Sequence, residues 1–356
     1  MATTALTFDL YRVLRLLTLD QLDQSFLNTN CSATHVNQWH KFAYTTLRMK
    51  SQMSGRYDFS YVDRTGKMPS LINVQHDPIP AFDSNYQHRS FLDVTIDRAR
   101  ELLSQDKTIC VLWSGGLDST LVLASLVSAA RYKDQIEILC TWESIMEAGS
   151  LFDNVILPWG LKIRFDQTRI NMQSEYTGDQ GTEVYVSGSC GDQIFGRPRS
   201  AFGASFKNKQ LLDAPWDQGY PQDFLDIVAP SVSVSPREIV TQKDLLWWIF
   251  FNFTWNAVCN DGKKMRPSSI AKRFENFFES WQFQQWAVST DSYYNQTDEY
   301  RLPQKQALAK LINYPAYTDK KTKTLSVTWK PDKSWFMLDT EYKNHYTNNQ
   351  TQQQGQ

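Results

Sequence analysis

The residues most able to do chemistry together are Ser114-Gly115-Gly116-Leu117-Asp118-Ser119-Thr120. Two glycines let backbone N–H groups approach an anion with no Cβ in the way. Ser114, Ser119 and Thr120 add hydroxyl donors, and a helix starting here adds unpaired N–H groups and its positive dipole end. Those features suit phosphate. Asp118 repels phosphate, so its presence calls for a bridging cation, with magnesium the natural candidate. A second stretch of the same character is Ser187-Gly188-Ser189-Cys190-Gly191-Asp192, again small residues ending in a carboxylate.

Both stretches need a scaffold that brings them together. Ile109-Cys110-Val111-Leu112-Trp113 precedes the first as one buried strand, and Leu121 to Ala130 follows it as a helix buried on most sides. Residues 91–103 fit a helix leading into that strand. Further strands are expected at 137–142, 160–165 and 183–186, with a helix at 147–157. Strands alternating with helices imply an α/β fold with a doubly wound parallel sheet. Ligands of such sheets sit at the carboxyl ends of the strands, where both glycine-rich turns fall.

The remaining chain is divided as follows. Residues 1–89 make a small N-terminal region beginning with helical apolar spacing, and 90–201 carry the two turns. Residues 202–236, with four prolines, read as loop. An aromatic helix is expected over 240–258, a second over 274–283 and a third over 303–313, so that 202–342 is mainly helical. The Asn/Gln-rich tail from Lys343 (343–356) reads as disordered.

Composition narrows the classes. A net charge of −1 gives no global reason to expect a nucleic-acid partner. The five cysteines are scattered with no C-x-x-C pair, which argues against a disulfide framework, a structural zinc site or thiol-based sulfur transfer. The sequence has no long apolar run and no signal-peptide pattern in its first thirty residues, so a cytoplasmic protein without a membrane span is expected.

The first turn is neither a Walker A loop nor G-x-G-x-x-G. S-G-G-x-D-S after a buried strand resembles the pyrophosphate (PP) loop of enzymes that split ATP into AMP and pyrophosphate. The second turn, continued by Gln193-Ile194-Phe195-Gly196, resembles the S-G-x-G-x-D-E-L-F-G element of asparagine synthetases and their β-lactam synthetase and lasso-peptide cyclase relatives. Tyr300-Arg301-Leu302-Pro303-Gln304-Lys305-Gln306-Ala307-Leu308 resembles that family's K-x-x-L-R-x-A-L helix, with arginine and lysine exchanged. The likeness covers about residues 90–330.

The resemblance implies a PP-loop fold with a helical C-terminal part, and ATP and Mg2+ as ligands. Asp118 and Asp192 would hold the metal. Ser114, Gly115, Gly116, Asp118, Ser119, Thr120, Ser187 and Gly188 would line the nucleotide, and Val111 and Trp142 would meet adenine. Arg301, Lys305 and Lys321 would act on the α-phosphate and the following intermediate, Lys305 as the group able to lose a proton. Helices 240–285 would wall an acceptor pocket.

Two departures bound the expectation. Glutamine-dependent members begin with a catalytic cysteine, whereas position 2 is Ala2, so nitrogen would come from ammonia, a separate glutaminase subunit or a substrate amine. Ser189 stands where those enzymes carry a glutamate, which removes a charge and a base. The expected activity is AMP-forming amide synthesis from a small carboxylate. Modification of a nucleobase or tRNA, and nucleotide binding without turnover, are the other two readings.

Overall fold

The computed structural model describes residues 63–67, 78–165, 182–196, 213–218, 222–255, 258–259, 273–290 and 301–314. All belong to one compact unit, Met1–Thr324. The expected N-terminal helix, the lysine-rich segment with Lys320 and Lys321, and the tail from Lys343 lie outside the described residues.

The chain enters through helix α1 (Phe91–Leu103), N-capped by Ser90, whose hydroxyl accepts from the Asp93 N–H. It continues as β1 (Thr108–Trp113), α2 (Leu117–Ala129), β2 (Ile136–Cys140), α3 (Trp142–Glu147), β3 (Lys162–Phe165), β4 (Glu183–Ser187) and α4 (Gly191–Phe195). Then come α5 (Gln222–Val232), α6 (Gln242–Trp248), β5 (Phe274–Asn276), α7 (Trp281–Ser289) and α8 (Leu302–Leu311). The five strands form one all-parallel sheet in the order β3-β2-β1-β4-β5, so the α/β expectation holds. Successive strands run outward from β1 to β3, and the chain then returns to add β4 and β5 on the other side of β1. The switch of direction lies between β1 and β4.

The central position of β1 explains its composition. Ile109 to Trp113 are all buried, the mark of a parallel strand covered on both faces. Helix α2 is buried from Ser119 to Leu126 and packs against α1 and α8.

Four expectations need correction. Residues 274–283 are not one helix: Phe274–Asn276 join the sheet as β5, Phe277–Glu279 make a 3-10 turn, and helix begins only at Trp281. The stretch 202–236 contains α5, which carries Pro230 inside it. Helix begins at Trp142 rather than 147, because Thr141 and Ser144 form a capping box, and 149–159 is a broken run of short helical turns. The aromatic stretch is α-helical only to Trp248, then widens to a π-helical segment at Ile249–Phe253.

Those aromatics form core. Trp247, Trp248, Phe251, Phe253, Phe277, Phe278 and Trp286 are essentially fully buried. Trp247 stacks on Phe251 at 5.0 Å, and Phe91 meets Trp286 edge-on at 4.9 Å. The Phe91–Trp286 contact ties α1 to α7, while the Trp247–Phe251 stack lies along the α6 run.

A polar stitch crosses one sheet face. Arg164 donates to both Glu183 oxygens (2.9 and 3.2 Å) and to Cys110 Sγ (3.0 Å), and pairs with Glu137 at 3.1 Å. Tyr185 donates its hydroxyl to Glu183 at 2.5 Å. Burial pushes the Cys110 thiol up from 9.0 to about 11, against the lowering pull of Arg164, and the Cys140 thiol up to about 12. Both cysteines are free and buried. We expect neither to react with Ellman's reagent in the folded chain at pH 8, and both to react after unfolding. A raised folded pKa favours the neutral thiol, so stability from these groups is complete below pH 9.0 and is lost as pH rises toward about 11 and 12. Urea midpoints across that window check the sign.

Candidate functional site

The two glycine-rich turns follow adjacent strands. Strand β1 pairs directly with β4, Leu112 opposite Ser187, and both turns leave from their carboxyl ends beside the switch point. In the first turn Gly115 has φ +76°, and a Cβ there would collide with the Ser144 carbonyl oxygen, so glycine is required twice over. Helix α2 starts with Gly116 at its N-cap and no side-chain cap, leaving its first-turn N–H groups without an acceptor inside the helix. Ser119 Oγ accepts from the Ser114 N–H at 3.0 Å and lies 3.0 Å from Ser114 Oγ, so the two hydroxyls brace the turn.

The second turn presses on the first. A Cβ on Gly188 would lie 2.7 Å from Ser119 N and 2.8 Å from the Asp118 carbonyl carbon. Cys190 holds the turn with φ 73°, in the left-handed region, and α4 follows with Asp192 in its first turn. Ser187 donates to Asn276 Oδ1 at 2.7 Å and accepts from the Ser189 N–H at 3.2 Å. Asn276 in turn donates to the Cys259 carbonyl at 2.6 Å and to Glu279 at 2.8 Å. Cys190 and Cys259 are joined as a disulfide, 69 residues apart. The sequence argues against a disulfide framework, and this single pairing joins two cysteines whose sequence spacing carries no signature.

Asp118 and Asp192 converge on one guanidinium. Arg301 Nη1 donates to Asp118 Oδ2 at 2.8 Å and Nη2 donates to Asp192 Oδ1. Gln304 Nε2 donates to the other Asp118 oxygen at 2.6 Å. The Arg301 side chain is 7% exposed against 27% and 32% for the two aspartates, so the charges meet at the base of the site with their outer side open to water. Two carboxylates around one cation position are a donor set that suits magnesium shared with phosphate oxygens and water. Among the described residues no group of three or more His, Cys, Asp or Glu side chains could hold a metal, so an all-protein metal cage is not what these residues build.

Other expected site residues fall into place unequally. Trp142 opens α3 at the end of β2 and stacks on Phe165, at the end of β3, with centroids 4.9 Å apart and planes at 15°. Thr120 is turned inward: it is fully buried and its hydroxyl accepts from the Trp113 indole N–H at 3.0 Å. Val111 is fully buried in mid-strand, paired with Ile138 on one side and Val186 on the other, two residues short of the strand end. Arg301 does not share a helical face with Lys305: it is the N-cap of α8, in left-handed conformation with φ 61°. Lys305 lies within α8, half-buried. Lys321 lies outside the described residues. Gln304, which sequence reasoning passed over, is fully buried and reaches Asp118. Its only signal is its position three residues after Arg301 and one after Pro303.

Among the described residues no helix is long and apolar enough to cross a membrane. Comparison with models of known protein families gives no match, and neither does comparison with curated protein sequences.

Proposed function

We propose that the chain is an ATP-dependent, AMP-forming carbon–nitrogen ligase, similar to the synthetase part of asparagine synthetases and built on a PP-loop fold. The observation that carries this reading is the convergence of Asp118 and Asp192 from two abutting glycine-rich turns at the switch point of the sheet. The N–H groups at the start of α2 and the Ser114–Gly116 turn bind the pyrophosphate portion of ATP. Asp118 and Asp192 would hold magnesium, which would neutralise charge on that pyrophosphate when bound. A substrate carboxylate oxygen attacks the α-phosphorus, the bond to the β-phosphate oxygen breaks, and pyrophosphate leaves with the electron pair. Ammonia or an amine then attacks the acyl carbon of the adenylate, AMP departs from that carbon, and the nitrogen loses one proton. Arg301 stabilises developing phosphate charge as a permanent cation, whereas Lys305 can also accept the proton. Lys321 belongs to the same reading as a further phosphate cation, ammonia from a separate glutaminase subunit is one nitrogen source, and the setting is the cytoplasm.

Incubation with labelled ATP, Mg2+ and a panel of carboxylates and amines is expected to release AMP and pyrophosphate. Release of ADP and phosphate instead would rule the reading out. The Trp142–Phe165 stack serves as a platform for adenine in this scheme. Trp142→Ala should therefore weaken ATP binding about tenfold by calorimetry, the scale of one lost base–aromatic stack.

A second reading, a nucleotide-binding protein without turnover, is favoured by one observation: both carboxylates are already engaged by Arg301. ATP binding with no pyrophosphate release under any acceptor would select it. Action on tRNA or a nucleobase is separated from both by a shift assay with salt titration, since phosphate contacts give a steep salt slope.

A further inference from the structure

Arg301 is placed as a metal ion would be. Its two Nη atoms each take one aspartate, from two turns that no other described side chain bridges by hydrogen bond, so its fork spans the gap between Asp118 and Asp192. It does so from a backbone conformation that side-chain-bearing residues rarely adopt, at φ 61°. An independent observation points the same way. Gln304 is fully buried beside the pair, and its Oε1 has no hydrogen-bond partner while its Nε2 is on Asp118. A buried carbonyl oxygen left unmet is costly, and rotation of the amide would offer it to a cation held by the same carboxylate.

We propose that Arg301 is an exchangeable resident of the Asp118–Asp192 site: guanidinium and divalent cation bind there in competition, and metal entry releases Arg301. The released guanidinium is then available to pair with an anion arriving alongside the metal. The exchange makes metal affinity a property of residue 301, although this residue supplies no metal ligand. The inference rests on the two-turn site of the proposed function but not on ATP turnover.

Mn2+ alone is the probe, titrated into the full chain without nucleotide and followed by electron paramagnetic resonance and calorimetry. Arg301→Met keeps the side-chain length and removes the charge, and should bind Mn2+ about tenfold or more tightly than the wild type, the ratio expected when a buried competing ion pair is deleted. Arg301→Lys, with a point charge in place of the fork, should fall between them. If Arg301→Met does not fold, the wild type decides: Mn2+ should accelerate amide hydrogen exchange at Lys305, whose N–H donates to the Arg301 carbonyl at 3.1 Å. Mn2+ binding no tighter in a folded Arg301→Met chain, Mn2+ bound to the wild type with that exchange unchanged, or no Mn2+ binding in the wild type and both variants would each overturn the proposal. Absence of pyrophosphate release, by contrast, would overturn the ligase reading and leave the Mn2+ result standing.

Discussion

Gly188→Ala should abolish ATP-dependent pyrophosphate release, by about a hundredfold or more, while lowering stability by only about 1–3 kcal/mol. The added methyl would lie 2.7 Å from Ser119 N, 2.8 Å from the Asp118 carbonyl carbon and 2.9 Å from Asp118 Cβ. Two of those atoms are backbone of the first turn of α2, so no rotamer change relieves the contact. The turns must separate by several tenths of an ångström, and that movement displaces the first-turn N–H groups and Asp118 together. Gly160→Ala is the matched control. Its φ is +69° but nothing lies within 4 Å of the new methyl, so it should cost about 1 kcal/mol of backbone strain with ATP affinity unchanged. Pyrophosphate release and urea unfolding, measured on both variants, separate the two effects.

Asp118→Asn should be the second severe lesion, and its cost divides between folding and chemistry. The carboxylate accepts from Arg301 at 2.8 Å and from Gln304 at 2.6 Å. An amide keeps one acceptor, for Arg301, and turns a donor toward Gln304, whose own amide must rotate to bring Oε1 forward as the acceptor. Arg301, nearly buried, then faces a single carboxylate. A stability loss of about 2 kcal/mol is expected, the range for hydrogen bonds to charged groups. Pyrophosphate release should fall about a hundredfold or more through loss of electrostatic stabilisation. A variant that folds, binds ATP as tightly as the wild type and turns it over at an undiminished rate would remove Asp118 from the site.

The part of the fold that positions the turns was legible because its elements are long and consistently apolar. Strand β1 and helix α2 carry unbroken buried runs, and β2 to β4 emerge from short β-branched stretches between turns. Strand β5 was not legible. It has only three residues, and Phe274, Phe277 and Phe278 repeat at a spacing that also suits a helix. Helix α5 was hidden by the prolines around it, since Pro230 sits within its last turn. In the site, the glycines and aspartates declared themselves by type and order. Gln304 did not, because a neutral amide has no charge pattern to betray it and acquires its role from Arg301 holding the N-cap before it. Thr120 is the reverse case: residue type places its hydroxyl with the phosphate-like turn, and the structure adds a bond that type does not announce, accepted from the Trp113 indole N–H.

The bond from Arg301 to Asp192 spans 109 residues of sequence and that to Asp118 spans 183. During vectorial synthesis, strands β1 to β4 and both carboxylates are made well before the arginine that holds them. At ordinary elongation rates the interval from Asp192 to Arg301 is roughly 5–20 s. Throughout it the nascent chain carries two like charges at the junction of its two central strands, with no guanidinium to join them. The Asp118–Arg301–Asp192 contact can therefore form only once residue 301 has been made, whereas the β1–β4 ladder needs nothing beyond Ser187.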